Sequence, residues 1–176
     1  MNLYLAPHND DESLWGSYTC LRHQPLVVVV LRSFVEATWP DGPGFAQRER
    51  ETAAACAVLG CEYVQWTHED SAPDWDAIRA SMAELQPELV RAPLPEPGGH
   101  PHHNAIGNLA LDLWPETLFY STYTHKHGKT TTGELVMPEP GWEQMKRKAM
   151  DCYVSQAIHP YTQAAFNEWP IDEYLS

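Results

Sequence analysis

Leu26-Val27-Val28-Val29-Val30-Leu31 is apolar at every position and mostly β-branched. A strand without alternation is covered on both faces, so this one belongs in the middle of a parallel sheet. Shorter apolar runs predict further strands at 2–7, 61–66, 88–92, 118–124 and 135–137. Between them, apolar residues recur every three or four positions. That spacing predicts helices at 11–21, 45–59, 74–85, 104–113 and 142–154. Within 74–85, Trp75, Ile78, Met82 and Leu85 share one face, and Pro87 marks the end. Gly60 stands where the helix 45–59 needs a left-handed C-cap. A short helix is expected between Pro160 and Pro170.

Strand and helix alternate along the chain, with no internal repeat. This order implies a single α/β domain over 1–176, a mostly parallel central sheet with helices on both faces. The segment 33–44 reads as a loop. Residues 93–101 hold four prolines and two glycines, which makes a rigid loop. The loops after the first and fourth strands open at the carboxyl edge of the sheet, where ligands bind in folds of this kind.

Charge and cysteine usage narrow the function. Eleven basic residues against 24 acidic ones give −13, which opposes binding to nucleic acid or an anionic membrane. Cys20, Cys56, Cys61 and Cys152 are scattered without a CxxC pair, so a cysteine zinc site is not expected. Unpaired thiols and the lack of a signal-peptide pattern suit a cytoplasmic protein. No apolar run is long enough to span a bilayer.

Two clusters carry the candidate chemistry. His8-Asn9-Asp10-Asp11-Glu12 lies between the first strand and its helix. One reading is a capping box, with Asn9 as N-cap and Glu12 three residues on. The other is a metal site, since imidazole with carboxylate suits zinc. Asp10 and Asp11 diverge by about 100° on a helix, so one can ligate while the other addresses a water. The second cluster, His100-Pro101-His102-His103, is delivered by the rigid loop. His103 is placed at the opening of a helix and His100 in the loop; His102 has no assigned role and is read as solvent-facing.

With these motifs the chain resembles the LmbE/PIG-L zinc-dependent de-N-acetylases. Pro7 to Glu12 is similar to that family's PHPDDE motif, and His100 to His103 to its HPDH motif. Arg48, Glu51 and the Ala-rich run to Leu59-Gly60 resemble its RxxE…A…LG helix. Ala149 and Ser155-Gln156 resemble its C-terminal AxxxHxSQ segment. The resemblance implies a Rossmann-like three-layer sandwich. It implies one zinc, or another divalent metal, held by His8, Asp11 and His103. Asp10 would be the general base, and a protonated His100 would stabilise the oxyanion. The implied reaction removes an acetyl group from an N-acetylated sugar or glycoconjugate. Oligomeric state is left open.

This chain also departs from the pattern. Asn9 replaces the usual proline, His102 the usual aspartate, and Tyr153 the usual histidine. Trp15 and Tyr18 replace small residues, and Arg32-Ser33 follow the second strand in place of Thr-x-Gly. Arg48 is a candidate for binding substrate, with an ion pair to Glu51 as the plainer alternative. Trp15 and Trp39 are candidates for stacking on a sugar, with core packing favoured for Trp15. His68 and Asp70 follow the third strand at the same edge, with a plain solvated turn favoured over a substrate role; His125 and His127 follow the fifth and are candidates to approach from another edge loop, with a role away from the site favoured. Two other functions remain open: a zinc hydrolase of non-sugar amides or esters, and a catalytically silent sugar-binding relative.

Overall fold

The computed structural model describes residues 1–32, 44–122, 133–158 and 173–176. Among these residues seven strands form one sheet in the order β3-β2-β1-β4-β5-β7-β6. They are β1 (Asn2–Ala6), β2 (Leu26–Arg32), β3 (Tyr63–Glu69), β4 (Leu89–Pro93), β5 (Leu118–Tyr120), β6 (Glu134–Leu135) and β7 (Tyr174–Leu175). The first five run parallel. β7 is antiparallel to both β5 and β6. The helices are α1 (Asp11–Trp15), α2 (Ser17–His23), α3 (Phe45–Leu59), α4 (Trp75–Ala83), α5 (Pro101–Leu113), α6 (Trp142–Asp151) and α7 (Val154–Ala157).

Strand alternation divides the core in two. Tyr4, Ala6, Val27, Val29 and Tyr120 face one way and pack with Leu14, Ala55, Leu59, Met150 and Tyr153. Leu3, Leu5, Val28, Val30 and Val90 face the other way and pack with Ile78, Met82, Ile106 and Ala110. The result is a three-layer α/β sandwich. As expected, β2 is internal to the sheet, and Val27 to Leu31 are buried.

Several boundaries differ from the sequence reading for local reasons. The helix expected at 11–21 breaks at Gly16, between α1 and α2. A Cβ there would lie 2.4 Å from the Tyr4 ring, so only glycine lets the break sit against the aromatic core. The strand expected at 61–66 runs on to Glu69, opposite a register shift between Val29 and Leu31. His68 therefore lies in a strand, where its Nε2 is 3.4 Å from Ser81 Oγ, and not in an edge loop. The helix expected at 142–154 stops at Asp151 and resumes as α7. α5 begins at Pro101 rather than at Asn104. Proline suits the first helical position, because its missing N–H has no intrahelical acceptor there. Trp39, His125, His127 and the helix expected between Pro160 and Pro170 lie outside the described residues. Among the described residues, no helix is long and apolar enough to cross a membrane.

Candidate metal centre and its surroundings

β1 ends at Ala6, and the chain turns sharply into α1. Asp10 makes that turn with φ 121° and ψ −22°, a conformation L residues rarely adopt. Its carbonyl accepts the N–H groups of Ser13 and Leu14 and starts the helix. The helix is therefore capped by Asp10, without a side-chain cap bond. This corrects the capping box expected from Asn9 and Glu12. Asn9 instead donates through Nδ2 to Thr52 Oγ1 at 2.8 Å and Gln65 Oε1 at 2.6 Å. Glu12 accepts from Ser13 Oγ and, at 2.5 Å, from the Tyr153 hydroxyl. These bonds tie the strained turn to α3, β3 and the C-terminal segment.

Arg48 is buried below the same turn. Its guanidinium donates to the Asn9 carbonyl at 2.6 Å and lies 3.4 Å from Asp10 Oδ2. The alternative pairing with Glu51 does not form. Glu51 accepts from the backbone N–H and the hydroxyl of Ser155. Trp15 is also buried, in the core cluster beneath the turn.

From the other side, β4 leads into the Pro/Gly loop and α5. Asn104 clamps this loop: its Oδ1 accepts from Glu96 N at 2.9 Å and its Nδ2 donates to Glu96 O at 2.8 Å. His100 is the N-cap of α5, and its Nδ1 accepts the His102 backbone N–H at 3.2 Å. His103 sits one turn inside, fully buried.

The two loops converge on a triangle. His103 Nε2 lies 3.3 Å from His8 Nδ1 and 3.3 Å from Asp11 Oδ1. His8 Nδ1 lies 3.5 Å from Asp11 Oδ2. A tetrahedral zinc with bonds of about 2.0–2.1 Å sets its donors about 3.3 Å apart. Two imidazoles and one carboxylate are also a donor set this ion accepts. The residues fit the metal in both spacing and chemistry. The backbone N–H of His8 holds Asp11 Oδ2 at 2.7 Å, and His103 Nδ1 lies 3.3 Å from Thr122 Oγ1. His102 is not turned to solvent: its Nδ1 is 2.9 Å from His8 Nε2.

Adjacent carboxylates here feel opposite fields. Burial pushes the Asp10 carboxyl well above its usual range, against the opposing charge of Arg48. Burial would also raise Asp11, but His103 and His8 together hold it below the usual range. Burial lowers His8, and burial with the neighbouring imidazoles pulls His100 down to about 3. His100 is thus neutral at physiological pH. With Nδ1 accepting from His102, its proton sits on Nε2. The resemblance implied a protonated His100; burial and the neighbouring imidazoles favour the neutral ring.

A family model described as PIG-L: GlcNAc-PI de-N-acetylase matches residues 3–114, well over half of the chain. The chain belongs to the PIG-L family. A search of curated proteins gave no match. Among solved structures, the zinc-inhibited form of teicoplanin deacetylase Orf2 is similar at 17% identity, covering 99% of this chain and 97% of that one, with a TM-score of 0.74. The N,N'-diacetylchitobiose deacetylase of Pyrococcus horikoshii is similar at 18%, covering 99% and 82%, with a TM-score of 0.68. The 4-carboxy-2-hydroxymuconate hydratase GalB of Pseudomonas putida KT2440 also matches, at 18%, covering 99% and 94%, with a TM-score of 0.70. At these identities the structures speak for the shared fold, and GalB shows that the fold hosts a hydratase as well. The PIG-L match places this chain among the de-N-acetylase-type hydrolases. Sequence reading did not find Thr122, Gln65 or the contact of His102 with His8. Thr122 and Gln65 lie far from either motif, and only the sheet brings them in.

Proposed function

We propose that this PIG-L chain is a zinc-dependent N-deacetylase of an N-acetylated sugar or glycoconjugate. The observation that carries the reading is the His8–Asp11–His103 triangle, with donors spaced as a tetrahedral cation requires. A zinc ion bound there supplies Lewis acidity and lowers the pKa of a coordinated water to about 7.

The chain's own residues divide the remaining work. Asp10 takes the proton of the attacking water, aided by a carboxyl raised toward the pH at which it works. Arg48 keeps Asp10 and the strained turn in place through its contacts with Asn9 O and Asp10 Oδ2. The Nε2–H of neutral His100 donates a hydrogen bond to the developing oxyanion and keeps its proton. Asp10 then returns its proton to the leaving nitrogen. One amide and one water give acetate and a protonated amine. A sugar substrate is favoured by the family and by the teicoplanin and chitobiose deacetylases that share the fold.

The test is a screen of N-acetylated sugars, nucleotide sugars and glycoconjugates with the zinc-loaded protein. Acetate and amine should appear in equal amounts with at least one class. Release only from non-sugar amides would move the substrate class. No release from any compound would favour a silent binding protein.

A further inference from the structure

Each imidazole of the triangle has a second ring nitrogen facing away from it. On His103 that nitrogen, Nδ1, meets Thr122 Oγ1 at 3.3 Å. On His8 it is Nε2, which meets His102 Nδ1 at 2.9 Å. A ring that gives a lone pair to a metal must carry its proton on the other nitrogen, and that proton needs an acceptor. His102 is the side chain the structure puts in that place. Its ring is half-buried and lies beside Trp75, with centroids 6.0 Å apart, and its backbone N–H is already committed to His100 Nδ1.

We propose that His102 is a positioning residue: its Nδ1 accepts the Nε2 proton of His8 and so holds the His8 Nδ1 lone pair toward the cation. The same residue also sets the His100 tautomer through its backbone, a task any residue but proline performs. Only the side-chain role is specific to histidine here. An imidazole acceptor has no anionic form to offer, so it orients His8 without adding a negative charge behind the metal. This inference rests on the ligand triangle proposed above.

The test compares zinc affinity in the full chain and its variants. His102→Ala should bind zinc about 10- to 100-fold more weakly, the usual cost of losing such a partner. His102→Asn, whose Oδ1 can stand where Nδ1 stood, should recover most of that loss. In zinc-loaded, nitrogen-15-labelled protein, His8 Nε2 should carry a slowly exchanging proton with a scalar coupling across the hydrogen bond to His102 Nδ1. Unchanged affinity in His102→Ala would overturn the proposal, as would an Asn variant no better than Ala. A second zinc per chain that disappears in His102→Ala would make His102 a ligand and overturn it too. Failure of the triangle itself reads differently: zinc would then persist in Asp11→Ala and His103→Ala.

Discussion

The two loops that meet at the site are held by different means. The loop from Pro7 to Asp10 is short and strained, and buried hydrogen bonds from outside support it: Asn9 to Thr52 and Gln65, and Arg48 to the Asn9 carbonyl. The loop from Leu94 to His100 stiffens itself. It has its own prolines, the Asn104 clamp on Glu96, and a close approach of Pro93 O to Gly107 on α5. The difference follows from what each loop presents. The first brings an acid to a conformation it would not adopt unaided, which requires outside groups to determine it. The second only has to aim imidazoles from a regular helix start.

The largest effect expected is in the first loop. Asp10→Asn should keep the metal and lose about 10²- to 10⁴-fold in turnover, read as acetate release against bound zinc. Full activity would place the base elsewhere. Next is Gly107→Ala on α5, where the second loop docks. Its Cβ would lie 2.2 Å from Pro93 O and 2.8 Å from Pro95 Cγ. Overpacking of this kind costs about 1–3 kcal/mol, measurable by denaturant unfolding. A neutral result would mean the loop is not docked on α5. Asn9→Ala leaves Thr52 and Gln65 without their donor and should cost about 1–2 kcal/mol. It should also lower turnover, because Asp10 is the next residue. Asn104→Ala should cost about 1 kcal/mol and leave the first loop's geometry alone.

The smallest effect is one of sign, in the metal-free protein. Asp10 is raised by burial, so its contribution to stability is full below the unfolded pKa, near 3.9, and is lost as pH rises through the folded value. Asp11 is lowered by His103 and His8, so its contribution is full above the unfolded pKa and is lost as pH falls through the folded value. Asp10→Asn should therefore stabilise at neutral pH, and Asp11→Asn should destabilise. Both differences should shrink on acidification. Thermal unfolding from pH 3 to 7 reads both, and equal signs would contradict the opposite fields.

Local features were legible where the chain states them locally. The helix 45–59 carries its own composition and stop: α3 ends at Leu59, and Gly60 adopts φ 74°. The run 26–31 marked β2, and the two histidine clusters marked the two loops. The rest depended on space filled from elsewhere. The helix breaks at Gly16, where Tyr4 leaves no room for a side chain. Asn9 and Glu12 fit a capping pattern, yet both turn to distant partners, Gln65 and Tyr153. His102 is one of three histidines in a four-residue stretch, and no spacing rule tells which nitrogen of His8 it meets.

The far edge of the sheet has a consequence for the order of assembly. Among the described residues β6 joins the sheet only through β7, and β7 follows it by some forty residues. Lys146 and Glu173 seal the same junction with a buried 2.7 Å pair, and Glu173 also accepts the backbone N–H of Tyr18. Closing such a distant contact costs loop entropy before it returns anything. This edge should complete last as the protein folds and exchange its amide hydrogens first once folded, while β1 and β2 beneath the metal triangle stay protected. The site thus rests on the centre of the sheet, and the edge reaches it at one point: the Ser121 N–H donates to the Tyr174 carbonyl beside Thr122, the residue next to His103 Nδ1.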